Sequence, residues 1–365
     1  MFTSADHAFM SRALQLAERG LYTTTPNPRV GCVIVHAGQI VGEGWHARAG
    51  EAHAEIVALR AAAERARGAT VYVSLEPCAH HGRTPPCADA LISVGVTRVV
   101  TAMRDPNPKV AGAGLERLRA AGIEASEGLL AERARELNIG FVARMERGRP
   151  WLRVKVAASL DGRTALANGV SQWITGPQAR GDGHAWRARS CAVMAGIGTL
   201  LADDSRLTVR EVETSRQPVR IVVDRDLRLP TTARVLEGGQ VVVFGARPDA
   251  DRMRALTQAG AEVIVLPDAQ GKVDLPAMLQ ELGRREMNEI LTESGSRLNG
   301  ALLRAGVVDE LVLYFAPHLL GDTARGMFDL RELTALDQRV ELDIRDVTRI
   351  GPDLRLIARV TEPRR

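Results

Sequence analysis

The sequence predicts an α/β protein of two domains, residues 1–147 and 151–365. Short apolar runs typical of β-strands alternate along the whole chain with segments of helical periodicity. This alternation is typical of a sheet that helices cover. A length of 365 residues is enough for about two domains. The polar stretch Arg147-Gly148-Arg149-Pro150 separates two such patterns, and we expect the domain boundary there.

The first domain is predicted to have three layers, with one sheet between two layers of helices. It opens with an amphipathic helix over residues 1–20, for which Ser4 is the expected cap and Gly20 the expected end. A hairpin follows about Ala37-Gly38. The elements, in order, are helix 1–20, strands 30–35 and 39–45, helix 53–65, strand 70–74, helix 88–94, strand 97–101, helix 114–121, a short strand at Ile123 and a polar helix over 130–147.

The second domain starts with a strand over residues 151–158, and no helix is predicted between 160 and 188. Beyond that point strands and helices alternate again, which predicts a second α/β sheet. The expected strands are 189–195, 219–224, 241–244, 262–266, 289–292, 310–314, 340–347 and 354–360, and the expected helices are 250–259, 275–282 and 297–304.

The composition disfavours several classes of protein. Hydrophobic residues make up 45% and charged residues 25% of the chain, which suits ordinary globular cores. No apolar run is long enough to span a membrane, and residues 1–20 lack the regions of a signal peptide. The net charge of +4 is spread along the chain and aromatic residues reach only 4%, so we expect neither nucleic acid nor a membrane as a partner.

The cysteines point to a reducing compartment. Four cysteines in a chain of this length do not suggest a disulfide framework. Cys32 and Cys191 lie singly in apolar runs and are predicted to be core thiols. We expect a cytoplasmic protein.

One histidine and two cysteines predict a catalytic zinc site. His53-Ala54-Glu55 precedes Pro77-Cys78 and Cys87, and zinc deaminases carry the related signature H-x-E…P-C-x-x-C. A His/Cys/Cys set leaves the fourth tetrahedral position of zinc open for water. Zinc lowers the pKa of that water, so hydroxide is available near pH 7. Glu55 would carry the proton from the water to the ring and to the departing ammonia.

The spacing of the cysteines leaves other interpretations open. Eight residues separate Cys78 from Cys87, where the deaminase signature has two. A structural zinc knot would need a fourth ligand, which His80 or His81 supplies in that interpretation. Alternatively, the cysteines are unconnected core residues.

Two rival functions fit the sequence less well than an enzyme that acts on a small molecule. A deaminase of flipped nucleic-acid bases predicts C-x-x-C spacing and a basic or aromatic groove, which the sequence lacks. A binding module with a decayed active site conflicts with the intact Glu55.

Two further motifs allow a functional and a structural interpretation. Asn27 lies between Pro26 and Pro28, so it either belongs to a simple turn or is a rigid group that hydrogen-bonds the edge of a heterocycle. Residues 293–300 connect a strand to a helix. This segment either binds a diphosphate through the free backbone N–H groups at the start of the helix, or is a plain turn between strand and helix.

Several motifs, in order and over essentially the whole chain, resemble those of the bacterial bifunctional riboflavin-biosynthesis deaminase/reductase family. The long insertion between Cys78 and Cys87 is a feature of that family. The motifs that carry the resemblance are Pro26-Asn27-Pro28-Arg29-Val30-Gly31-Cys32, His53-Ala54-Glu55, Glu76-Pro77-Cys78-Ala79-His80-His81-Gly82-Arg83-Thr84-Pro85-Pro86-Cys87, Asp105-Pro106-Asn107-Pro108, Ala158-Ser159-Leu160-Asp161-Gly162-Arg163, Ser171-Gln172-Trp173-Ile174-Thr175 and Leu201-Ala202-Asp203-Asp204.

The resemblance implies two consecutive reactions on a small phosphorylated pyrimidine. The first domain, similar to cytidine deaminases, would use one zinc ion to deaminate 2,5-diamino-6-(5-phosphoribosylamino)pyrimidin-4(3H)-one. The second domain, similar to dihydrofolate reductase, would use NADPH to reduce the ribosyl group to ribityl, giving 5-amino-6-(5-phosphoribitylamino)uracil. We also expect a homo-oligomer.

The resemblance also implies site residues by position. In the first domain His53, Cys78 and Cys87 match the zinc ligands, and Glu55 matches the proton donor. In the second domain the expected NADP contacts are Ala157, Trp173, Thr199, Asp203, Arg225, Gly295, Ser296, Arg297, Leu298, Asn299, Gly300 and Ala301. The expected substrate contacts are Ser171, Arg187, Leu207, Arg210 and Glu293, with Asn27 in the first domain.

Each site must also hold the substrate's phosphate. Arg83 is the candidate in the first domain, and Arg187 and Arg210 are the candidates in the second, since guanidinium groups bind phosphate in a bidentate way. Each of them is alternatively a solvated surface arginine. Lys155, in an apolar strand, either contacts a phosphate or ribose hydroxyl or extends its ammonium into solvent.

Overall fold

The computed structural model describes residues 1–79, 86–108 and 110–361. The chain divides into two compact units, Met1–Gly148 and Arg149–Arg365. Among the described residues, every helix is too short or too polar to cross a lipid bilayer.

The first unit is built on a five-stranded mixed sheet in the order β2-β1-β3-β4-β5. The pairs β1–β2 and β1–β3 are antiparallel, whereas β3, β4 and β5 run parallel. Its elements are α1 (Ser4–Glu18), β1 (Gly31–His36), β2 (Gln39–Trp45), α2 (Ala54–Ala62), β3 (Thr70–Val73), α3 (Cys87–Val94), β4 (Arg98–Thr101), α4 (Ala113–Ala120), β5 (Glu124–Glu127), α5 (Ala131–Leu137) and α6 (Ile139–Arg147).

Helices cover both faces of this sheet, so the predicted three-layer arrangement is confirmed. One core contains Ala58 of α2, Leu91 of α3 and Leu118 of α4. The core on the other face contains Met10 of α1 and Val142 of α6. The burial of such side chains is the main force that holds the layers together.

Two glycines of β2 allow α2 to lie close to the sheet. A Cβ atom on Gly42 would lie 2.3 Å from the Ala58 carbonyl oxygen, and one on Gly44 would lie 2.4 Å from the Ala54 carbonyl oxygen. Any side chain there would push α2 away. The spacing Gly42-Glu43-Gly44 therefore fixes the position of the first turn of α2.

Two predictions for this unit were wrong in detail. The cap of α1 is Thr3 rather than Ser4, because the Thr3 and Asp6 side chains bond reciprocally to each other's backbone in a capping box. The predicted single polar helix over 130–147 is two helices. They separate at Asn138, whose buried side chain bonds both the N–H and the C=O of Arg29 instead.

The second unit contains a nine-stranded sheet in the order β11-β10-β9-β8-β12-β6-β13-β16-β15. The strands from β11 to β13 run parallel, and β16 and β15 add an antiparallel edge. Its elements are β6 (Trp151–Ser159), β7 (Arg163–Ala165), α7 (Pro177–Arg189), β8 (Ala192–Gly196), α8 (Ile197–Asp203), β9 (Val219–Val223), β10 (Val241–Gly245), α9 (Ala250–Gln258), β11 (Ala261–Val265), α10 (Leu275–Arg284), β12 (Glu289–Thr292), α11 (Ser296–Arg304), β13 (Glu310–Ala316), β14 (Arg325–Gly326), β15 (Leu342–Ile350) and β16 (Asp353–Val360).

Sequence patterns missed α7. It carries Gly181 and Gly183 in its interior, and glycine costs a helix about 1 kcal/mol relative to alanine. Pro177 at the first turn and the buried Ala179 and Ala188 are consistent with a helix that tertiary packing stabilises. The predicted strand over 189–195 accordingly begins only at Ala192.

A buried charge network joins the amino ends of the central strands. The Arg153 guanidinium of β6 bonds the carboxylates of Glu289 in β12 and Glu310 in β13, and all three side chains are almost completely buried. Removing one member would leave an unpaired buried charge, which typically costs about 3–5 kcal/mol. The network therefore helps to fix the register of these strands.

Candidate active sites

The three predicted zinc ligands come together in the first unit. His53 lies directly before α2, Cys87 is the first residue of α3, and Cys78 follows β3. Their ligand atoms all lie within 4.8 Å of one another. The His53 Nδ1 atom is 3.7 Å from the Cys78 Sγ and 3.3 Å from the Cys87 Sγ. We call these three residues with Glu55 the zinc cluster.

The electrostatics of the two thiols suit a divalent cation. Hydrogen bonding between them lowers the pKa of Cys78 to about 4 and raises the pKa of Cys87. The backbone N–H of Cys87 also donates to the Cys78 sulfur at 3.3 Å. The pair therefore holds one proton between two sulfurs, which a metal ion would replace.

The donor set fits zinc. Two cysteine sulfurs and one imidazole nitrogen are typical zinc ligands. In the described part of the chain, this is the group of histidine, cysteine and carboxylate side chains with the geometry for a metal ion. His80, His81 and Arg83 lie outside the described residues, so the structural-knot interpretation and the predicted phosphate contact of Arg83 stay untested.

Glu55 lies in the first turn of α2, beside the ligands. The residue is only 3% exposed, and burial raises the pKa of Glu55 to about 7, although the neighbouring His53 acts in the opposite direction. The Cys87 thiol hydrogen-bonds to its carboxylate. A buried carboxyl group of this kind exchanges protons near neutral pH.

His46 is a site residue that sequence reasoning missed. Its Nδ1 lies 3.2 Å from the Ala52 carbonyl oxygen, and its Nε2 lies 3.0 Å from the Asn27 side-chain nitrogen. The tautomer with the proton on Nδ1 satisfies both contacts. The His46 ring also meets the His53 ring edge-on, with 5.4 Å between centroids. His46 thereby orients Asn27 beside the zinc cluster. Sequence reasoning missed His46 because a single histidine after a strand belongs to no recognisable motif.

Glu76 is a second residue that was missed. Its buried carboxylate accepts backbone N–H bonds from Asp105, Gly112, Gly114 and Leu115 at 2.9–3.3 Å. It thereby ties the start of α4 and the preceding loop to the segment that carries Cys78. The sequence showed Glu76 only as part of a motif, because its partners are backbone groups.

In the second unit, Lys155, Arg187 and Glu293 form what we call the Lys155 cluster. Arg187 of α7 donates two hydrogen bonds to Glu293 in a bidentate pair. The Nε–Oε1 distance is 2.5 Å and the Nη2–Oε2 distance is 2.8 Å. Burial alone would raise the pKa of Glu293, but Arg187 and Lys155 hold it at about 2. Burial lowers the pKa of Lys155, and Glu293 opposes that effect. The Lys155 ammonium also lies 5.5 Å from the centre of the Tyr314 ring, and its contact with a phosphate or ribose hydroxyl stays a prediction.

The other predicted substrate residues have different surroundings. The backbone N–H of Arg210 donates to the buried His184 at 3.1 Å, and its exposed guanidinium bonds only its neighbour Thr208 among the described residues. The Leu207 side chain packs in an apolar core, so only its backbone is available to a ligand. Ser171 lies half-buried in the segment before α7.

The predicted phosphate turn lies at the carboxyl ends of β8 and β12. The N–H of Gly295 donates to the Thr199 hydroxyl at 3.2 Å, which links the two turns. The backbone N–H groups of the first α11 residues lack a partner within the helix. Leu298 and Ala301 pack into the core, and the buried Asn299 side chain bonds the Ser294 and Met327 carbonyls. The predicted run therefore presents backbone at Gly295, Ser296 and Arg297, while Leu298, Asn299, Gly300 and Ala301 hold the turn in place.

The remaining predicted NADP residues line the same edge of the sheet or the segment beside it. Ala157 is half-buried in β6, beside Tyr314 of β13. The Trp173 ring is 70% exposed, and Asp203 hydrogen-bonds its neighbour Gln172. The Arg225 Nε is buried and donates to no acceptor among the described residues. The exposed Trp173 ring, the backbone N–H groups at the start of α11 and the unsatisfied Arg225 Nε fit an anionic dinucleotide.

Comparison with known families assigns both units. The family model described as the cytidine and deoxycytidylate deaminase zinc-binding region matches residues 3–103, and the RibD C-terminal domain matches residues 150–356. The chain is 49% identical over 361 residues to the riboflavin biosynthesis protein RibD of Escherichia coli, covering 96% of this chain and 98% of that protein. It is 47% identical to RibD of Haemophilus influenzae, covering 97% of each.

The chain belongs to the RibD family.

Solved RibD structures agree with this assignment over the full length. RibD of Acinetobacter baumannii superposes with a TM-score of 0.91 at 45% identity, covering 98% of this chain and 99% of that one. A diaminohydroxyphosphoribosylaminopyrimidine deaminase/5-amino-6-(5-phosphoribosylamino)uracil reductase from Thermotoga maritima superposes with a TM-score of 0.88 at 33% identity, with the same coverage.

RibD membership confirms the predicted fold class and the general function. The N-terminal unit is cytidine-deaminase-like, and the C-terminal unit is the reductase domain of the dihydrofolate-reductase type. The protein is a bifunctional deaminase and reductase of riboflavin biosynthesis, with zinc and NADPH as cofactors. The roles of individual residues stay predictions.

Proposed function

We propose that the first unit hydrolytically deaminates 2,5-diamino-6-(5-phosphoribosylamino)pyrimidin-4(3H)-one and that the second unit reduces the ribosyl group of the product to ribityl. The observation that carries the proposal is the separation of two chemical clusters. The zinc cluster, with its buried acid, belongs wholly to the first unit, and the Lys155 cluster belongs wholly to the second.

In the first unit, His53, Cys78 and Cys87 would hold zinc, which when bound makes water a better nucleophile at neutral pH. Glu55 takes one proton from the attacking water and delivers it to the ring nitrogen, and it then carries the second proton, from the new hydroxyl group, to the departing ammonia. Its burial supports this role, because a low-dielectric site strengthens its interaction with the reacting groups. Asn27, oriented by His46, hydrogen-bonds the edge of the pyrimidine.

In the second unit, the Lys155 cluster positions the sugar. NADPH, when bound, supplies the hydride. Lys155 donates a hydrogen bond to the sugar oxygen that gains a proton, and Glu293 keeps the ammonium oriented and charged. Because Glu293 occupies the fork of Arg187, the exposed Arg210 guanidinium is the better candidate for the substrate's phosphate.

Analysis of the products with and without NADPH tests this function. With the diamino substrate and no NADPH, we expect ammonia and the ribosyl uracil product to accumulate. Adding NADPH should convert that product to the ribityl compound. Reduction of the diamino compound before any ammonia is released would overturn the proposed order.

We also infer a cytoplasmic enzyme that forms a homo-oligomer. The free thiols of all four cysteines support a reducing compartment. Exposed apolar side chains at the sheet edge, among them Ile344 and Val347 at 58% exposure each, support self-association. Cell fractionation and light scattering of the purified protein test the two inferences; a monomer at micromolar concentration would contradict the second.

A further inference from the structure

Two arginines flank one carboxylate at the carboxyl ends of β9 and β10. Arg225 follows β9 and Arg247 follows β10. The Asp226 Oδ1 lies 3.6 Å from the Arg225 Nε and 3.4 Å from an Arg247 terminal nitrogen. Neither ion pair is short. We call these three residues the Arg225–Arg247 pocket.

The backbone around this pocket is fixed. The buried Asp224 carboxylate accepts the Leu229 N–H at 2.7 Å, and Arg252 donates to the Leu227 and Leu229 carbonyls, each at 2.8 Å. The N–H groups of Ala246 and Arg247 both donate to the Arg225 carbonyl at 3.0 Å. These bonds join the turn after β9 to the turn after β10. The backbone that carries both guanidinium groups is therefore held in place at this edge of the sheet.

The charges of the pocket are not balanced. Two guanidinium groups face one carboxylate, and the buried Arg225 Nε–H has no hydrogen-bond acceptor among the described residues. The side chains of Arg225 and Arg247 are 40% and 63% exposed, so an anion can reach them. A phosphate monoester, with three acceptor oxygens, supplies the missing acceptors.

The pocket lies on the same edge of the sheet as the predicted phosphate turn. Val223, the last residue of β9, pairs with Gly196 of β8 and with Phe244 of β10. Gly196 begins the turn whose Thr199 hydroxyl binds the Gly295 N–H. In the sheet, β9 and β10 lie two and three strands from β12. Neighbouring strands are about 4.8 Å apart, so the pocket lies roughly 10–14 Å from the phosphate turn along the same edge. The 5′-diphosphate and the 2′-phosphate of NADPH are carried by the same ribose, so both can lie along one edge of the sheet.

We propose that Arg247, together with Arg225, binds the 2′-phosphate of NADPH and sets the preference for NADPH over NADH. The inference rests on the proposed reductase function. It assigns to Arg247 a role in specificity that no sequence motif indicated, and Asp226 is the carboxylate with which the phosphate competes.

The test is calorimetric titration of the full-length protein with 2′,5′-ADP and with 5′-AMP, which differ by the 2′-phosphate alone. Arg247→Ala should weaken 2′,5′-ADP binding by about tenfold or more, since a hydrogen bond to a charged group contributes at least that much, and should leave 5′-AMP binding unchanged. Arg254→Ala, which removes an exposed arginine of α9 that pairs with Asp251, is the matched control and should change neither.

Equal weakening of both ligands, or of neither, by Arg247→Ala would overturn the assignment. Asp226→Asn provides an independent check, because removing the competing carboxylate should leave 2′,5′-ADP binding as tight or tighter. Weaker binding of 2′,5′-ADP by this variant would count against the pocket. If the wild-type protein bound neither 2′,5′-ADP nor NADPH, the proposed reductase function itself would fail, whereas NADPH binding that is insensitive to Arg247 would refute this inference alone.

Discussion

The zinc cluster and the Lys155 cluster differ in how the chain assembles them. In the first, each ligand lies at or just beyond the end of a helix or strand, and the ligand atoms of His53, Cys78 and Cys87 meet within 4.8 Å. In the second, a lysine inside β6 meets an arginine of α7 and a glutamate after β12. The zinc cluster has the donor atoms of a cation site, whereas the Lys155 cluster pairs one of its two cations with its own carboxylate.

This difference explains what each site does with charge. Two thiols that share one proton, beside an imidazole, favour a divalent metal. By contrast, Arg187 and Glu293 hydrogen-bond each other. The Lys155 ammonium therefore remains the group that can bind a ligand. Variants of the two clusters should therefore fail in different ways, and the following predictions run from the largest expected effect to the smallest.

Cys87→Ser should abolish both zinc binding and deamination, because one of only three protein ligands is lost. Metal analysis of the purified protein is the measurement, with about one zinc ion per chain expected for the wild type. Cys191→Ser, in the second unit, is the control and should retain zinc. Full zinc content in Cys87→Ser would show that the ligand set is wrong.

Glu55→Gln should keep zinc but slow deamination by about 10²–10⁴-fold, the usual contribution of a positioned proton donor. Ammonia release under single-turnover conditions measures the chemical step. Glu51→Gln, an exposed neighbour on the same segment, should deaminate normally. Near-normal release from the Glu55 variant would remove this residue from the mechanism.

Glu293→Gln should destabilise the second unit by about 3 kcal/mol at pH 7, because it leaves Arg187 without its partner in a site where both side chains are less than one-fifth exposed. The pKa of Glu293 is lowered from its ordinary value of 4.5 to about 2. Its contribution is therefore full above about pH 5 and is lost as the pH falls towards 2.

Denaturant unfolding followed by tryptophan fluorescence measures this effect, since Trp151, Trp173 and Trp186 all lie in the second unit. Glu211→Gln is the control, because that side chain is 51% exposed and should change stability by no more than about 0.5 kcal/mol. A difference between wild type and Glu293→Gln that stays constant from pH 7 to pH 3 would contradict the account.

The two clusters also differ in how far the sequence predicted them. The residue types and order of His53, Glu55, Cys78 and Cys87 indicated zinc chemistry by themselves, although eight residues separate the cysteines where the deaminase signature has two. The contact of Arg187 with Glu293 could not be predicted, since it depends on α7, whose glycines conceal the helix. His46 and Glu76 were missed because one is a lone histidine and the other binds backbone groups.

The fold showed the same limit. Short apolar runs located nearly all strands of both sheets, because many of these strands are buried on both faces and their side chains are apolar throughout. The break at Asn138 and the cap at Thr3 depend on hydrogen bonds to specific backbone atoms, and composition alone does not encode them.

The central claim is that two independent sites, one in each unit, carry out the two reactions. The most direct measurement combines Glu55→Gln with Lys155→Met, each in the full-length protein. Glu55→Gln should still reduce the deaminated intermediate when it is supplied, and Lys155→Met should still deaminate while its reduction slows by about 10²-fold or more. A mixture of the two variants should convert the diamino substrate to the ribityl product with NADPH, although neither variant does so efficiently alone. If each variant lost both half-reactions while remaining folded, or if the mixture stayed inactive, the assignment of one reaction to each unit would be contradicted.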